Sequence, residues 1–322
     1  MKTNRRAFLA SATGATAAGA MLAMKAAEAK SVAAPRWKTG VGLNGFMSSA
    51  QRYKKEYPIW EALDFVTAGK FDGIELVEGW PMGGYPGSGE TKRIAALKRM
   101  YDQYGLRIYT LQTGGSGSYS VDPEARKNWQ ATFADRIRLG KQLGCAFIGN
   151  WPGGGLEGNP NVDQAIENLV LSYREAAKMA ADAGMYFSFE IEPGFVFNTL
   201  DHLQRILGGV DNPACKTNYD TSHFDVMSGG IGKPEEMLKK LGVDKIGHIH
   251  LTDCDGTVFE SSSRHLPCGD GHCDIHASLK TLWDGGYTGW IMIDAWLIED
   301  SYRAYHQGKQ AIDNAQNEFI KQ

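Results

Sequence analysis

Ala183-Gly184-Met185-Tyr186-Phe187-Ser188-Phe189-Glu190-Ile191-Glu192-Pro193-Gly194 is the stretch that decides the fold. A helical segment, Val162 to Ala183, closes on a glycine suited to a left-handed cap, a short apolar strand follows at once, and that strand ends on carboxylates. The same unit recurs in both directions. Strand candidates precede it at Thr39 to Leu43, Gly73 to Val77, Arg107 to Leu111 and Ala146 to Gly149, and follow it at Lys216 to Tyr219, Ile246 to Leu251 and Trp290 to Ile293. Helical patterns separate them, at Thr91 to Tyr104, Pro123 to Leu143, Leu200 to Ile206, Pro234 to Leu241 and Ile275 to Asp284. Short apolar runs alternating with longer amphipathic ones mark repeated βα units and a parallel sheet. Eight such strands, counting Tyr186 to Ile191, predict an α/β chain folded as a (β/α)8 TIM barrel. An open doubly wound sheet would carry a glycine-rich nucleotide loop between its first strand and a helix. Here Gly40 to Gly45 reads as largely inside the first strand, with no helix directly after it, so its glycines are taken as close-packing residues. Tyr302, Tyr305, Ile312 and Phe319 predict a terminal helix after Asp300.

The chain has 322 residues, 43% of them hydrophobic, enough for one large core. Its 34 basic and 37 acidic side chains are mixed along the sequence, leaving no basic stripe for nucleic acid. Residues 1–29 read as a twin-arginine signal peptide: Arg5-Arg6-Ala7-Phe8-Leu9, a small-residue apolar run from Ala12 to Met24, and Ala27-Glu28-Ala29 as the cleavage site. The run is short and Ala/Gly-rich for a bilayer span, so no stable membrane anchor is expected. Residues 30–322 then form a single barrel domain, exported folded to the periplasm by the twin-arginine machinery. Removing four basic residues and Glu28 takes the formal charge from −3 to −6. The five cysteines suggest no disulfide framework in so large a domain. Plain free thiols are the first expectation, with a Cys268/Cys273 bridge as the special alternative.

A barrel of this kind gathers its chemistry at the C-terminal ends of its strands. Four late strands end in metal-type ligands: Glu190-Ile191-Glu192, Asp220-Thr221-Ser222-His223, His248-Ile249-His250 and Ile293-Asp294. A lone carboxylate there usually caps a helix, but four successive strands carrying such groups predict a site. Three carboxylates and one imidazole make an oxygen-rich set that suits Mn2+ first, then Co2+ or Mg2+, with Zn2+ second to these. Such an ion can hold a carbonyl and a neighbouring hydroxyl and stabilise an enediolate, the chemistry of isomerases, epimerases and eliminating lyases. Trp80, Trp151 and Trp296 follow strands and can wall a carbohydrate pocket. The glycine-rich loops at Gly83-Gly84, Gly114 to Gly117 and Gly153 to Gly155 hold no Lys or Arg placed to cradle a phosphate.

The run Glu190-x-Glu192-Pro193-Gly194, Asp220-Thr221-Ser222-His223, His248-x-His250-Leu251-x-Asp253, Gly269-Asp270-Gly271 and Gly286-Tyr287-x-Gly289-x-Ile291-x-Ile293-Asp294 resembles the xylose-isomerase-like TIM-barrel family of sugar phosphate isomerases and epimerases. That family includes ketose 3-epimerases and inosose dehydratase. The resemblance implies one divalent metal held by Glu190, Asp220, His250 and Asp294. It implies acid/base roles for Glu190 and Asp294 on opposite faces of a ketose or keto-sugar, with His223 beside the substrate. Glu192, Arg264, His265 and Trp151 are the further substrate-contacting candidates. The family's usual glutamate is Asp294 here, shorter by roughly 1.5 Å of reach, which opens a β-eliminating lyase on 3-keto-glycosides, or a non-catalytic sugar binder, as alternatives. Relatives of this kind are often dimers or tetramers, so a homo-oligomer is compatible with the resemblance.

Overall fold

A computed structural model describes residues 37–77 and 84–322. The signal-peptide reading of residues 1–29, Trp80 and Gly83 lie outside the described residues. The barrel strands are β1 (Lys38–Gly42), β2 (Gly73–Val77), β3 (Arg107–Thr113), β4 (Phe147–Asn150), β5 (Tyr186–Phe189), β6 (Cys215–Asp220), β7 (Ile246–Leu251) and, eighth in the ring, β10 (Trp290–Ile293). Every pairing between them is parallel. The ring closes in the order β1, β10, β7, β6, β5, β4, β3, β2. The eight-strand barrel expected from the alternation is therefore present. Between β7 and β10 a hairpin, β8 (Val258–Phe259) with β9 (Ser262–Ser263), rises beside the barrel mouth.

The helices are α1 (Leu43–Tyr53), α2 (Ile59–Ala68), α3 (Thr91–Gln103), α4 (Pro123–Leu143), α5 (Val162–Asp182), α6 (Leu200–Val210), α7 (Thr221–Met227), α8 (Pro234–Leu241), α9 (Ile275–Asp284) and α10 (Ser301–Phe319). Local chemistry sets their ends. Asp122 caps α4 by accepting from the Glu124 amide at 3.0 Å, with Pro123 in the first turn, and Gly144 ends it at φ 83°. Asn161 and Thr199 cap α5 and α6 through their side chains.

One sequence expectation is corrected here. A helix does start directly after the first strand: β1 ends at Gly42 and α1 begins at Leu43. The segment resembled a continuing strand because Leu43, Asn44, Gly45 and Phe46 are all buried, which hides the helical period. Gly45 is required by packing, since a Cβ there would stand 2.2 Å from the Tyr305 hydroxyl and 2.7 Å from the Ala295 Cβ. That hydroxyl donates to the Gly42 carbonyl at 2.5 Å, so α10 locks the turn out of β1.

The main core lies between the barrel's outer face and the helices, as in Tyr173 of α5 packed edge-on against Phe187 at 4.7 Å. Each fully buried aromatic or aliphatic side chain there contributes about 1.5–3 kcal/mol. A second, smaller cluster of Tyr109, Phe147, Trp290 and Met292 packs within the ring, Tyr109 stacked on Trp290 at 4.4 Å. Trp37–Gln322 behaves as one compact unit. No helix among the described residues is long and apolar enough to cross a membrane.

Candidate active site

Parallel pairing brings the strand ends to one rim. Asp220 and His250 are direct partners of β6 and β7, the Asp294 amide donates to the Leu251 carbonyl at 3.1 Å, and the Glu190 amide donates to the Asn150 carbonyl at 3.0 Å. All four residues are buried at 5% exposure or less, so each must be satisfied from inside the protein. A cavity of about 240 Å³ opens above them, lined by Asn44, Met47, Val77, Trp151, Glu190, Glu192, Phe195, His223, Glu260, Ser262, His265, Asp294 and Trp296.

Polar neighbours orient each carboxylate. Glu190 accepts from Asn218 Nδ2 at 2.7 Å on Oε1 and from the Trp151 indole N–H on Oε2. Asp294 Oδ1 accepts from Asn44 Nδ2 at 2.9 Å and from the Trp296 amide at 2.8 Å. Asp220 Oδ1 caps α7, accepting from the Ser222 amide at 2.8 Å, the Ser222 hydroxyl at 2.6 Å and the His223 amide at 3.0 Å. His250 Nδ1 lies among these carboxylates, 3.1 Å from Glu190 Oε1 and 3.4 Å from Asp294 Oδ2. One donor atom from each of Glu190, Asp220 and His250 falls within a 4.8 Å circle.

Asp220 Oδ2 and His250 Nδ1 are buried and make no well-formed hydrogen bond among the described residues. A buried lone pair left over after the rest of its side chain is satisfied is the mark of a cation site, and this donor set fits a divalent metal. Below it, Glu75 Oε2 sits 3.2 Å from His250 Nε2 and 3.4 Å from His248 Nε2. A carboxylate behind a ligand histidine fixes which ring nitrogen faces forward.

Hydrogen-bond accounting also fixes His223. The Ser222 hydroxyl donates to Asp220, so the Ser263 hydroxyl must donate to Ser222 and accept from His223 Nδ1 at 2.7 Å. That leaves His223 Nε2 as the ring nitrogen turned to the cavity. It faces Glu190 Oε1 at 3.7 Å and Glu192 Oε2 at 3.9 Å across the cavity floor. Burial pushes the Glu192 carboxyl up to about 7, with the Glu190 charge adding to it and His223 opposing. Burial also opposes ionisation of Asp220 and Asp294, but the surrounding imidazoles outweigh it and hold both below the usual carboxylate range. His250 is held well above its usual value despite burial, by Glu190 and Glu75.

The fold brings most of the residues singled out in the sequence to one place. Glu190, Glu192, His223, His265, Asp294 and Trp151 line the cavity, and Asp220 and His250 cluster with Glu190. Arg264 stands apart: its side chain is 55% exposed and pairs with Asp255 at 3.1 Å, outside the cavity lining. Sequence reasoning passed over Asn44, Asn218, Ser263 and Glu75. Only Glu75 gave a signal, a carboxylate in the middle of the apolar strand Gly73-Ile74-Glu75-Leu76-Val77. All five cysteines are free, so the Cys268/Cys273 bridge is absent and the first expectation holds.

Comparison with known proteins agrees with this architecture. Residues 63–317 match the family described as xylose isomerase-like TIM barrel. A curated relative, inosose dehydratase of Clostridium botulinum, is 22% identical over 262 residues, covering 75% of this chain and 83% of that protein. Among solved structures, a D-tagatose 3-epimerase-like protein superposes with a TM-score of 0.70 at 22% identity, covering 88% of this chain and 99% of the other. The IolI protein with a bound zinc atom gives a TM-score of 0.68 at 16% identity over 88% and 98%.

Proposed function

This chain belongs to the xylose isomerase-like TIM barrel family, and on that premise we propose that it is a divalent-metal-dependent isomerase or epimerase of an uncharged ketose or keto-sugar. The observation that carries the reading is the convergence of Glu190, Asp220, His250 and Asp294, with Asp220 Oδ2 and His250 Nδ1 left unsatisfied, beside a cavity whose described lining includes no Lys or Arg. A phosphorylated sugar would meet four carboxylates there and no lysine or arginine to offset them. A bound ion would polarise the substrate carbonyl, easing loss of a proton from the neighbouring carbon. Mn2+ is the first choice on donor chemistry, and the zinc in the IolI structure supports a divalent site of this kind.

Glu190 is oriented by Asn218 and Trp151 to take a carbon-bound proton from one face. His223, with Nε2 turned to the cavity 3.9 Å from Glu192, is the partner that accepts or returns a proton on the other. Asp294 serves the metal better than it serves as a base, since Asn44 and Trp296 hold one oxygen and His250 faces the second. Trp151, Phe195 and Trp296 offer flat apolar walls to a sugar ring.

Glu192 favours a second reading. A carboxyl raised to about 7 by burial is an acid near neutral pH and can protonate a departing group, so β-elimination from a 3-keto-glycoside is open to the same residues. The inosose dehydratase relative fits that reading. Arg5-Arg6 and the residues after them support export by the twin-arginine route. An Arg5→Lys/Arg6→Lys chain still reaching the periplasm would overturn that part.

The test is incubation of the metal-loaded protein in D2O with free ketoses and 3-keto-glucosides, read by NMR and mass spectrometry. Deuterium next to the carbonyl, lost in Glu190→Gln and in metal-free protein, is expected, and the product separates epimerase, isomerase and lyase. Metal binding without exchange on any keto-sugar would leave only a sugar-binding barrel.

A further inference from the structure

His265 sits in the loop after β9, and its side chain is 2% exposed. Its Nδ1 lies 3.0 Å from the Ser263 carbonyl, which can only accept, so Nδ1 carries a proton and Nε2 is the nitrogen left to bind an ion, which would displace any proton there. That Nε2 has no hydrogen-bond partner among the described residues. It points at the free oxygens of two of the four residues assigned to the metal: 3.6 Å from Asp220 Oδ2 and 3.8 Å from Asp294 Oδ2.

Those separations have a meaning. Donors about 2.1–2.2 Å from one ion stand about 3.0–3.8 Å apart when the angle between them runs from roughly 90° to 120°. The Glu190–His250 and His250–Asp294 separations of 3.1 and 3.4 Å lie in that window, and so do both His265 separations. We propose that His265 is a fifth protein ligand of the metal, giving a site of two imidazoles and three carboxylates. Asn44 and the Trp296 amide hold Asp294 Oδ1, which leaves Oδ2 as the oxygen that faces His265.

The ring is held in place from both sides. On one, the hairpin of β8 and β9 carries Ser263. On the other, Asp253 and Leu266 exchange amide-to-carbonyl hydrogen bonds at 2.9 Å, and the Thr252 hydroxyl donates to the Leu266 carbonyl at 3.1 Å. A residue fixed in that way is set before the ion arrives, so little ordering is lost on binding. A second imidazole moves the site toward metals that accept nitrogen readily, raising Zn2+ and Co2+ relative to Mg2+. The sequence reading had given this ring to the substrate.

This inference rests on the metal reading above, and its test separates the two. The full chain loaded with one equivalent of Cu2+ is examined by electron spin-echo modulation, which counts coordinated imidazoles through their remote nitrogens. The wild type should show two, His223→Gln two, and His265→Gln one, while Zn2+ affinity by chelator competition falls tenfold or more in His265→Gln. One imidazole in the wild type, or two persisting in His265→Gln, overturns the proposal and returns His265 to the substrate. If His265→Gln fails to fold, the wild-type and His223→Gln spectra still decide. Failure to hold any ion would sink the proposed function as well.

Discussion

Asn44→Ala is the sharpest test of how the site is built, because Asn44 touches no proposed reacting atom directly and acts only through Asp294. Its Nδ2 donates to Asp294 Oδ1 at 2.9 Å, while its own Oδ1 is buried without a partner. A hydrogen bond to a charged acceptor contributes about 1.5–3 kcal/mol, equivalent to roughly 10- to 150-fold in an equilibrium constant. The Trp296 amide still holds the same oxygen at 2.8 Å, so the lower part of that range applies, and metal affinity should fall about 10- to 30-fold. Global stability should move little, since truncation also removes a buried unsatisfied oxygen that costs about 1–3 kcal/mol. The assays are chelator competition for the metal and denaturant unfolding of the metal-free protein. Affinity within twofold of the wild type in a folded variant would refute the claim that Asn44 sets the Asp294 carboxylate.

Three more outcomes follow from the same geometry. Glu192 is raised from 4.5 to about 7 in the fold. The folded metal-free protein therefore keeps a proton that the unfolded chain releases, and stability present below about 4.5 is lost as pH rises through 7, by about 3 kcal/mol at most. Glu192→Gln should remove that loss, so its denaturation midpoint gains on the wild type between pH 4 and pH 8.5; a pH-independent difference would contradict it. Chelating the metal should lower stability by about 2.7 kcal/mol relative to protein held at a hundred times its Kd, and the drop should vanish in Asp220→Asn. Thermal melts with and without chelator check this. Burial raises every thiol, Cys254 to about 11 and Cys215 and Cys268 to about 12. Alkylation of the native protein at pH 8 should therefore be slow, and unfolding without reductant should expose five reactive groups by mass spectrometry; three would mean a disulfide.

The barrel was legible because its signal is repetitive and local. Each strand is short, apolar and followed by an amphipathic helix, and a glycine such as Gly144 at φ 83° marks the change of direction. The four carboxylate and imidazole positions were legible for a related reason: parallel strands all finish at one rim, so polar residues at strand ends are neighbours whatever lies between them. What the chain could not show locally was the helix after β1. All four residues from Leu43 to Phe46 are buried there, which erases the periodicity that distinguishes helix from strand.

By itself the sequence determined the fold class, the rim on which chemistry would gather and the residue types available to it, since these depend on order along the chain. Tertiary structure alone decided how those groups divide their lone pairs. Asn44 meets Asp294 across 250 positions, His250 meets Glu75 across 175, and Ser222, Ser263 and His223 share a chain of protons that joins α7 to the hairpin. Hydrogen bonds between residues so far apart leave no trace in spacing or period. Yet they determine which oxygen of Asp220 is spent on capping α7 and which nitrogen of His265 is left to face the cavity.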